Sequence, residues 1–341
     1  QPAGSTRHDL REKKMLSRRD MLKGSLAAAA IGAVGSTVFV PLRANAKAPL
    51  AGTQAPGYYR LMVGDVEVTA LSDGTGHFPL ADLYLNTTPE HARTALANAF
   101  QGTPTHVSVN AYLLNFGDRL VLLDAGTSDL MGPALGKLPA NIIASGYHPD
   151  QIDDVVITHI HTDHTGGLTL NGKKVFANAT VHVPKLDADY WLDPAIRDAA
   201  PDEAKAFFDQ AVSATKPYVD SSTLKTYDAD APALPGLVNT THRPGHTPGH
   251  SALWFESKGE KFVYWGDITH GDILQFDEPG VSIAFDVDPN QAIETREAAF
   301  AEAVAEKYLV AGCHIAFPGI GHVREDATMY DWVPMNYRSD V

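Results

Sequence analysis

Residues 158 to 167 read THIHTDHTGG, which places His159, His161, Asp163 and His164 directly after the apolar run Val155-Val156-Ile157. Two imidazoles just past a strand end, then a carboxylate and a third imidazole on the turn, project donors in two directions. One such loop can hold parts of two metal sites. Imidazole and carboxylate without thiolate suit zinc, or a similar divalent first-row ion such as manganese, cobalt or iron. The single cysteine, Cys313, excludes a multi-thiolate site and an internal disulfide. Gly166-Gly167 behind the histidines fit a sharp, close-packed turn.

A site for two ions needs more donors, and these should also stand where strands end. His246 lies in the Gly/Pro-rich RPGHTPGH, Asp267 closes FVYWGD and His314 closes YLVAGCH. Together these make five histidines and two aspartates, enough for two ions that share one carboxylate and leave room for water. Two divalent ions about 3.5–4 Å apart acidify a shared water, so a bridging hydroxide is the expected nucleophile. One ion would then stabilise a developing oxyanion and the other would take the leaving oxygen. No serine or cysteine nucleophile is required, and Asp163 or Asp267 could relay the proton. His250 is expected as a structural partner in the same turn as His246, and His322 is the alternative to His314 near one strand end. Cys313 is expected to point away from the site if His314 points in.

The elements that must carry these residues are legible in outline. YYRLMVGDVEVTALSDG predicts a hairpin turning at Gly64-Asp65, and HVSVNAYLLNFGDRLVLLDAG another near Gly117-Asp118. A helix is expected over residues 133 to 145, strands in DDVVITH and ATVHVP, and helix over residues 185 to 217 with Trp191, Phe207 and Phe208 as its bulky apolar members. The pattern then repeats: a strand near LVNTTHRPGH, a hairpin turning at Lys258-Gly259, a helix over residues 289 to 307, and the strand YLVAGCH. Antiparallel strands followed by helices, twice, predict an α/β chain folded as a four-layer αββα sandwich.

THIHTDHTGG, PGHTPGH, WGD and the terminal strand histidine, in this order, resemble the metallo-β-lactamase fold superfamily over essentially the whole chain after the N-terminal segment. The resemblance implies that His159, His161 and His246 hold one metal, that Asp163, His164 and His314 hold the other, and that Asp267 bridges them. It also implies that Asp124, in LLDAG, is the aspartate behind the H-x-H pair and orients it. Departures prune the superfamily. Two-zinc β-lactamases place cysteine or serine where Asp267 stands, and flavo-diiron oxidoreductases place glutamate at His161. Glyoxalase II carries a long C-terminal helical domain, whereas only 27 residues follow His314 here. The stretches APGYYRLMVGDVEVTALSDG, GPALGKLPANIIASGY, FPGIGHVR and VPMNY are similar to secreted methyl parathion hydrolases, the organophosphate hydrolase and lactonase branch, over residues 55 to 337. By matching segments, Met131, Trp191, Phe208 and Phe285 would line the substrate pocket, with His270 near the metals. A histidine and a phenylalanine at positions 270 and 285 leave less room for a tetrahedral phosphotriester than for a planar aryl ester or lactone. Carboxylic ester or lactone hydrolysis is therefore the expected main activity, phosphotriester hydrolysis the alternative. A binding protein of this fold that had lost its chemistry would commonly lack a ligand, and here the set is complete.

The paired arginines Arg18 and Arg19, the weakly apolar residues 26 to 42 and the small-residue site Ala44-Asn45-Ala46 resemble a cleavable twin-arginine export signal. The expected organisation is a signal and upstream extension over residues 1 to 46, a linker over 47 to 57, and a hydrolase domain over 58 to 341. Export by the twin-arginine machinery implies a periplasmic or secreted enzyme, with no stable membrane anchor and with metal loaded before export. The chain carries a formal charge of −14 even though its first 46 residues are basic, and no Lys/Arg cluster follows them, so nucleic acid is an unsuitable partner. A homodimer is expected from relatives of this branch.

Overall fold

The computed structural model describes residues 48–327 and 329–341; the expected signal segment lies outside the described residues. Strands β1 (Tyr58–Val63), β2 (Val66–Phe78), β3 (Thr105–Asn115), β4 (Leu120–Leu123), β5 (Asp154–Val156), β6 (Thr180–Pro184) and β7 (Leu224–Tyr227) lie side by side in chain order in one sheet. The first four pair antiparallel and the last four parallel. Strands β8 (Asn239–His242), β9 (Ser251–Ser257), β10 (Glu260–Tyr264), β11 (Leu309–Ala311), β12 (Ile320–Asp326) and β13 (Met329–Pro334) form the second sheet, again in chain order. Only β10 and β11 pair parallel there, and the crossover between them contains the helix Pro289–Glu306. No helix among the described residues is long and apolar enough to cross a membrane.

Period-2 alternation assigns side chains to layers. On β4, Val121 and Leu123 enter the core between the sheets with Tyr112, Leu114, Leu253, Phe255, Phe262 and Tyr264, whereas Leu122 points the other way. That outer face packs under helices α1 (Leu138–Ala144), α3 (Lys185–Trp191) and α5 (Asp202–Asp220), through Leu138, Ile142, Trp191, Phe208 and Tyr218. On β10, Val263 faces outward with Trp265 against Phe300 of α6 (Pro289–Glu306). The result is the four-layer αββα arrangement.

Element boundaries differ from the sequence reading where proline and glycine intervene. The helix expected over 133 to 145 is confined to α1, because Gly132 and Gly136 both take positive φ before it. The helical stretch expected over 185 to 217 is divided into three helices: α3, α4 (Pro194–Ala199) and α5. Pro194 and Pro201 cannot donate to a preceding turn, so each begins a helix instead of continuing one. The hairpin at Lys258-Gly259 turns with positive φ at both residues, as expected. The antiparallel pair β12/β13 was not foreseen.

Candidate metal centre

THIHTDHTGG leaves β5 and enters α2 (Thr162–Thr165), a single turn, followed by a short 3-10 segment. A Cβ on Gly167 would lie 1.8 Å from the carbonyl oxygen of Ala125, so the close return of this loop requires glycine. His159 Nε2 and His161 Nδ1 stand 3.2 Å apart, and His161 Nδ1 stands 3.0 Å from His246 Nε2. Four-coordinate zinc with ligands at about 2.0–2.1 Å separates its nitrogens by about 3.3 Å, so both distances are close to an edge of that tetrahedron. Asp163, His164 and His314 form a second group: His314 Nε2 is 3.3 Å from Asp163 Oδ2, and His164 Nε2 is 3.7 Å from it. Asp267 lies between the groups. Its Oδ2 is 3.3 Å from His246 Nε2 and 3.1 Å from His314 Nε2, and its Oδ1 is 3.2 Å from His164 Nε2.

The donor set fits divalent metal. His164 Nε2 and Asp267 Oδ1 are buried and lack any hydrogen-bond partner although they face each other. Burial, reinforced by neighbouring imidazoles, holds His159 and His161 well below the ordinary histidine range, leaving them as neutral donors. Burial also opposes charge on His246, but hydrogen bonds to Asp267 and Asp286 outweigh it and raise His246 to about 9. Burial would raise Asp267; the surrounding His164, His314 and His159 instead hold it well below the ordinary carboxylate range. His159 and His161, neutral, and Asp267, ionised, are in the forms that bind a cation, whereas His246, His164 and His314, raised despite their burial by the carboxylates beside them, would each give up a proton to an ion.

The ligand-type residues are oriented from behind. Asp124, at positive φ after β4, accepts from Thr158 N at 2.7 Å, Thr158 Oγ1 at 2.8 Å, His164 Nδ1 at 2.6 Å and Tyr264 OH at 2.6 Å. It was expected behind the H-x-H pair. Its direct ring contact is instead His164, and it reaches His159 only through Thr158, whose Oγ1 is 3.0 Å from His159 Nδ1. His314 Nδ1 donates to Ser108 O on β3 at 2.9 Å. Asp286, which the sequence did not single out, accepts from His246 Nδ1 at 2.8 Å and from Ile283 N at 3.0 Å. A lone aspartate forty residues from the histidine it serves has no local signature.

Three expectations are resolved by geometry. His250 donates through Nδ1 to Arg243 O at 2.8 Å and accepts through Nε2 from Asp267 N at 3.0 Å, so both nitrogens are committed to backbone. Burial pushes it down to about 3, the neutral form those bonds need. His322 is exposed on β12 and its Nδ1 pairs with Tyr308 O at 3.0 Å, outside both groups. Cys313 does not point clear of the site. It packs in the inter-sheet core, yet its sulfur lies within 4.8 Å of the ligand atoms of Asp163, His164 and His314. The strand ends at Ala311, so strict alternation no longer separates residues 313 and 314.

The two groups open into a cavity of about 1110 Å³. All five residues expected in the pocket, Met131, Trp191, Phe208, His270 and Phe285, line it. Trp191 and Phe208 are also buried members of the helix-side core, their rings 4.8 Å apart. His270 comes nearest the ligand-type residues, with Nε2 3.2 Å from Asp267 Oδ2, and burial pushes it down to about 4. The sequence reading missed Phe78, Leu80 and Val107 as lining residues, because they arrive from elements far along the chain from those it named, and it missed Tyr190 beside Trp191 on α3. Four carboxylates, those of Asp163, Glu203, Asp267 and Asp286, line the cavity, with no lysine or arginine among the described lining residues.

Comparison with known proteins agrees with this geometry. The sequence model of the Metallo-beta-lactamase superfamily matches residues 104–314, and that of the TAT (twin-arginine translocation) pathway signal sequence matches residues 15–35. The crystal structure of hydrolase AbOPH in the beta lactamase superfamily is 36% identical, with a TM-score of 0.80 over 84% of this chain and 100% of that one. AidC, a dizinc quorum-quenching lactonase solved with a product, is 25% identical, with a TM-score of 0.77 over 83% of this chain and 99% of that one. The Beta-lactamase-like protein 2 homolog of Caenorhabditis elegans is 26% identical over half of this chain, and the match spans 48% of that protein's length. The chain belongs to the metallo-beta-lactamase superfamily, with the fold and histidine-rich site of a metal-dependent hydrolase.

Proposed function

We propose that this chain is a dinuclear metal-dependent hydrolase that cleaves aryl esters or lactones, with phosphotriester hydrolysis as a lesser activity of the same site. The observation that carries the reading is the convergence of seven ligand-type side chains at a cavity whose walls are mostly apolar. His159, His161 and His246 would hold one divalent ion, most simply zinc, and Asp163, His164 and His314 the other, with Asp267 shared between them. Bound there, the ions supply Lewis acidity toward a carbonyl or phosphoryl oxygen and acidify water toward neutral pH.

The remaining work falls to the chain itself. Asp163 is more open to the cavity than Asp267, its side chain 17% exposed against 2%, so Asp163 is the better placed to take and return a proton at Oδ2. Trp191, Phe207, Phe208 and Phe285 seat an apolar group and keep water from it. The absence of a lysine or arginine from the described lining favours a neutral substrate, which aryl esters, lactones and phosphotriesters all are. His270 and Phe285, with ring centroids 6.2 Å apart beside Asp267, narrow the space for a third substituent on a tetrahedral phosphorus. Likeness to a lactonase bound to its product supports lactone cleavage, and the resemblance to methyl parathion hydrolases favours the phosphotriester alternative. The signal match supports twin-arginine export to the periplasm or medium.

The test is metal content per chain together with turnover of dihydrocoumarin, a long-chain N-acyl homoserine lactone and methyl paraoxon. About two metals per chain and a preference for the lactones are expected, with His161→Ala losing more than the roughly 100-fold that partners behind a ligand cost. Dominant paraoxon turnover would overturn the steric argument and leave the metal reading standing. A protein that takes up no metal would overturn both.

A further inference from the structure

The three histidines of the first group come from different sheets. His159 and His161 follow β5 of the first sheet, and His246 sits in the turn between β8 and β9 of the second. Between the two loops lies Asp187, fully buried in the first turn of α3. Its Oδ2 accepts from Ile160 N at 2.7 Å and from Thr247 Oγ1 at 2.9 Å, and its Oδ1 accepts from Gly249 N at 2.6 Å. Ile160 stands between His159 and His161, and Thr247 follows His246. Burying a carboxylate without a counter-ion is costly, and here three neutral donors are aimed at it. An ionised carboxylate is a side chain that can accept all three at once, through short charge-assisted bonds. The neighbouring chain is shaped to this seat: a Cβ on Gly249 would meet Asp187 N at 2.5 Å and Oδ1 at 2.8 Å. A backbone bond from Ser251 N to Thr158 O at 3.1 Å also ties the loops, but it lies outside the segments that bear the paired histidines.

We propose that Asp187 is a positioning residue for the first metal-binding group, fixing the backbone on both sides so that His159, His161 and His246 keep the nitrogen spacing an ion requires. It differs from Asp124 and Asp286, which each hydrogen-bond an imidazole; Asp187 hydrogen-bonds no ligand ring and acts through the loops. The inference rests on the reading that this group binds metal. Because α3 also carries Tyr190 and Trp191, the same carboxylate sets the pocket wall against the histidines.

The test titrates Zn²⁺ into metal-free wild type, Asp187→Ala, Asp187→Asn and Gly249→Ala against a chromophoric chelator. Co²⁺ spectra accompany it, with His246→Ala supplying the signature of an empty first group. Wild type is expected to take two ions. Asp187→Ala and Gly249→Ala are expected to lose about ten-fold or more in affinity for one ion, with the His246→Ala spectral signature, while the other ion binds within about three-fold of wild type. Asp187→Asn, which keeps one strong acceptor, should fall between. Retention of the second ion reports an intact fold, which a merely structural loss would not give. Two ions bound by Asp187→Ala with wild-type affinities would overturn the inference alone, as would equal loss of both ions from every variant. A wild type that takes up no zinc would overturn the metal reading and the inference with it.

Discussion

Asp124 shows how much one buried side chain settles. Held at φ +59, it gathers four donors from Thr158, His164 and Tyr264. Each donor left unpaired in that interior costs about 1–3 kcal/mol. Asp124→Ala should therefore destabilise the protein by about 3 kcal/mol or more in urea unfolding. It should also weaken the second metal group, through His164, by about 10–100-fold in zinc affinity. Asp124→Asn turns an amide NH₂ toward donors and should recover only part of either loss. If the alanine variant kept wild-type zinc affinity, Asp124 would be a fold residue with no part in orienting His164.

At the scale of elements, the segment over residues 268–286 carries His270, Phe285 and Asp286 yet contains only short regular pieces, Leu274–Asp277 and Ser282–Ile283. Side chains from elsewhere fix it. Arg296 of α6, fully buried, donates to Ile268 O at 2.7 Å, Pro279 O at 2.9 Å and Val281 O at 2.8 Å. Tyr84 OH donates to His270 O at 2.8 Å, and Gln275 accepts from His270 N at 2.7 Å. A guanidinium satisfied by three carbonyls makes a clamp, because its donors are rigidly disposed. Arg296→Met should cost about 3 kcal/mol of stability and raise KM several-fold. Metal content should stay near wild type, since none of the seven ligand-type residues lies on the clamped carbonyls. A loss of metal with unchanged KM would show that the segment serves the ions and not the pocket wall. The bulge at Asp73 on β2 works similarly: its carboxylate accepts from Thr127 N, Gly136 N and Leu138 N, pinning the loop after β4 to the start of α1.

For the whole molecule, the site is a joint between two sheets. The first sheet delivers His159, His161, Asp163 and His164 beyond β5, and the second delivers His246, Asp267 and His314. Removing the ions should leave buried carboxylates and imidazoles facing one another across that joint. An ion at 1,000 times its dissociation constant contributes about 4 kcal/mol, and a domain of this size shifts about 2–4 °C per kcal/mol. Chelation of both ions is expected to lower Tm by roughly 16–32 °C, restored by added zinc and measured by calorimetry. A Tm indifferent to chelator would mean that the sheets are held together without metal.

The sequence by itself determined the ligand-type residues, the hairpin turns and the layered α/β fold. The reason is local: the histidines and aspartates cluster in short motifs at strand ends, and the alternation of apolar residues fixes which face each strand buries. Asp73, Asp187, Asp286 and Arg296 were decided only by the tertiary structure. Asp187 binds partners 27, 60 and 62 positions away, and an isolated aspartate on a helix looks like any solvated one until the chain closes over it. The same holds for Cys313, whose nearness to the second group depends on where β11 stops, and for the cavity wall, which joins the stretch over residues 190–210 to side chains of β2, β3 and the segment over residues 283–287. Motif chemistry is written in neighbouring residues; the network that aims it is written in long-range contacts that exist only after folding.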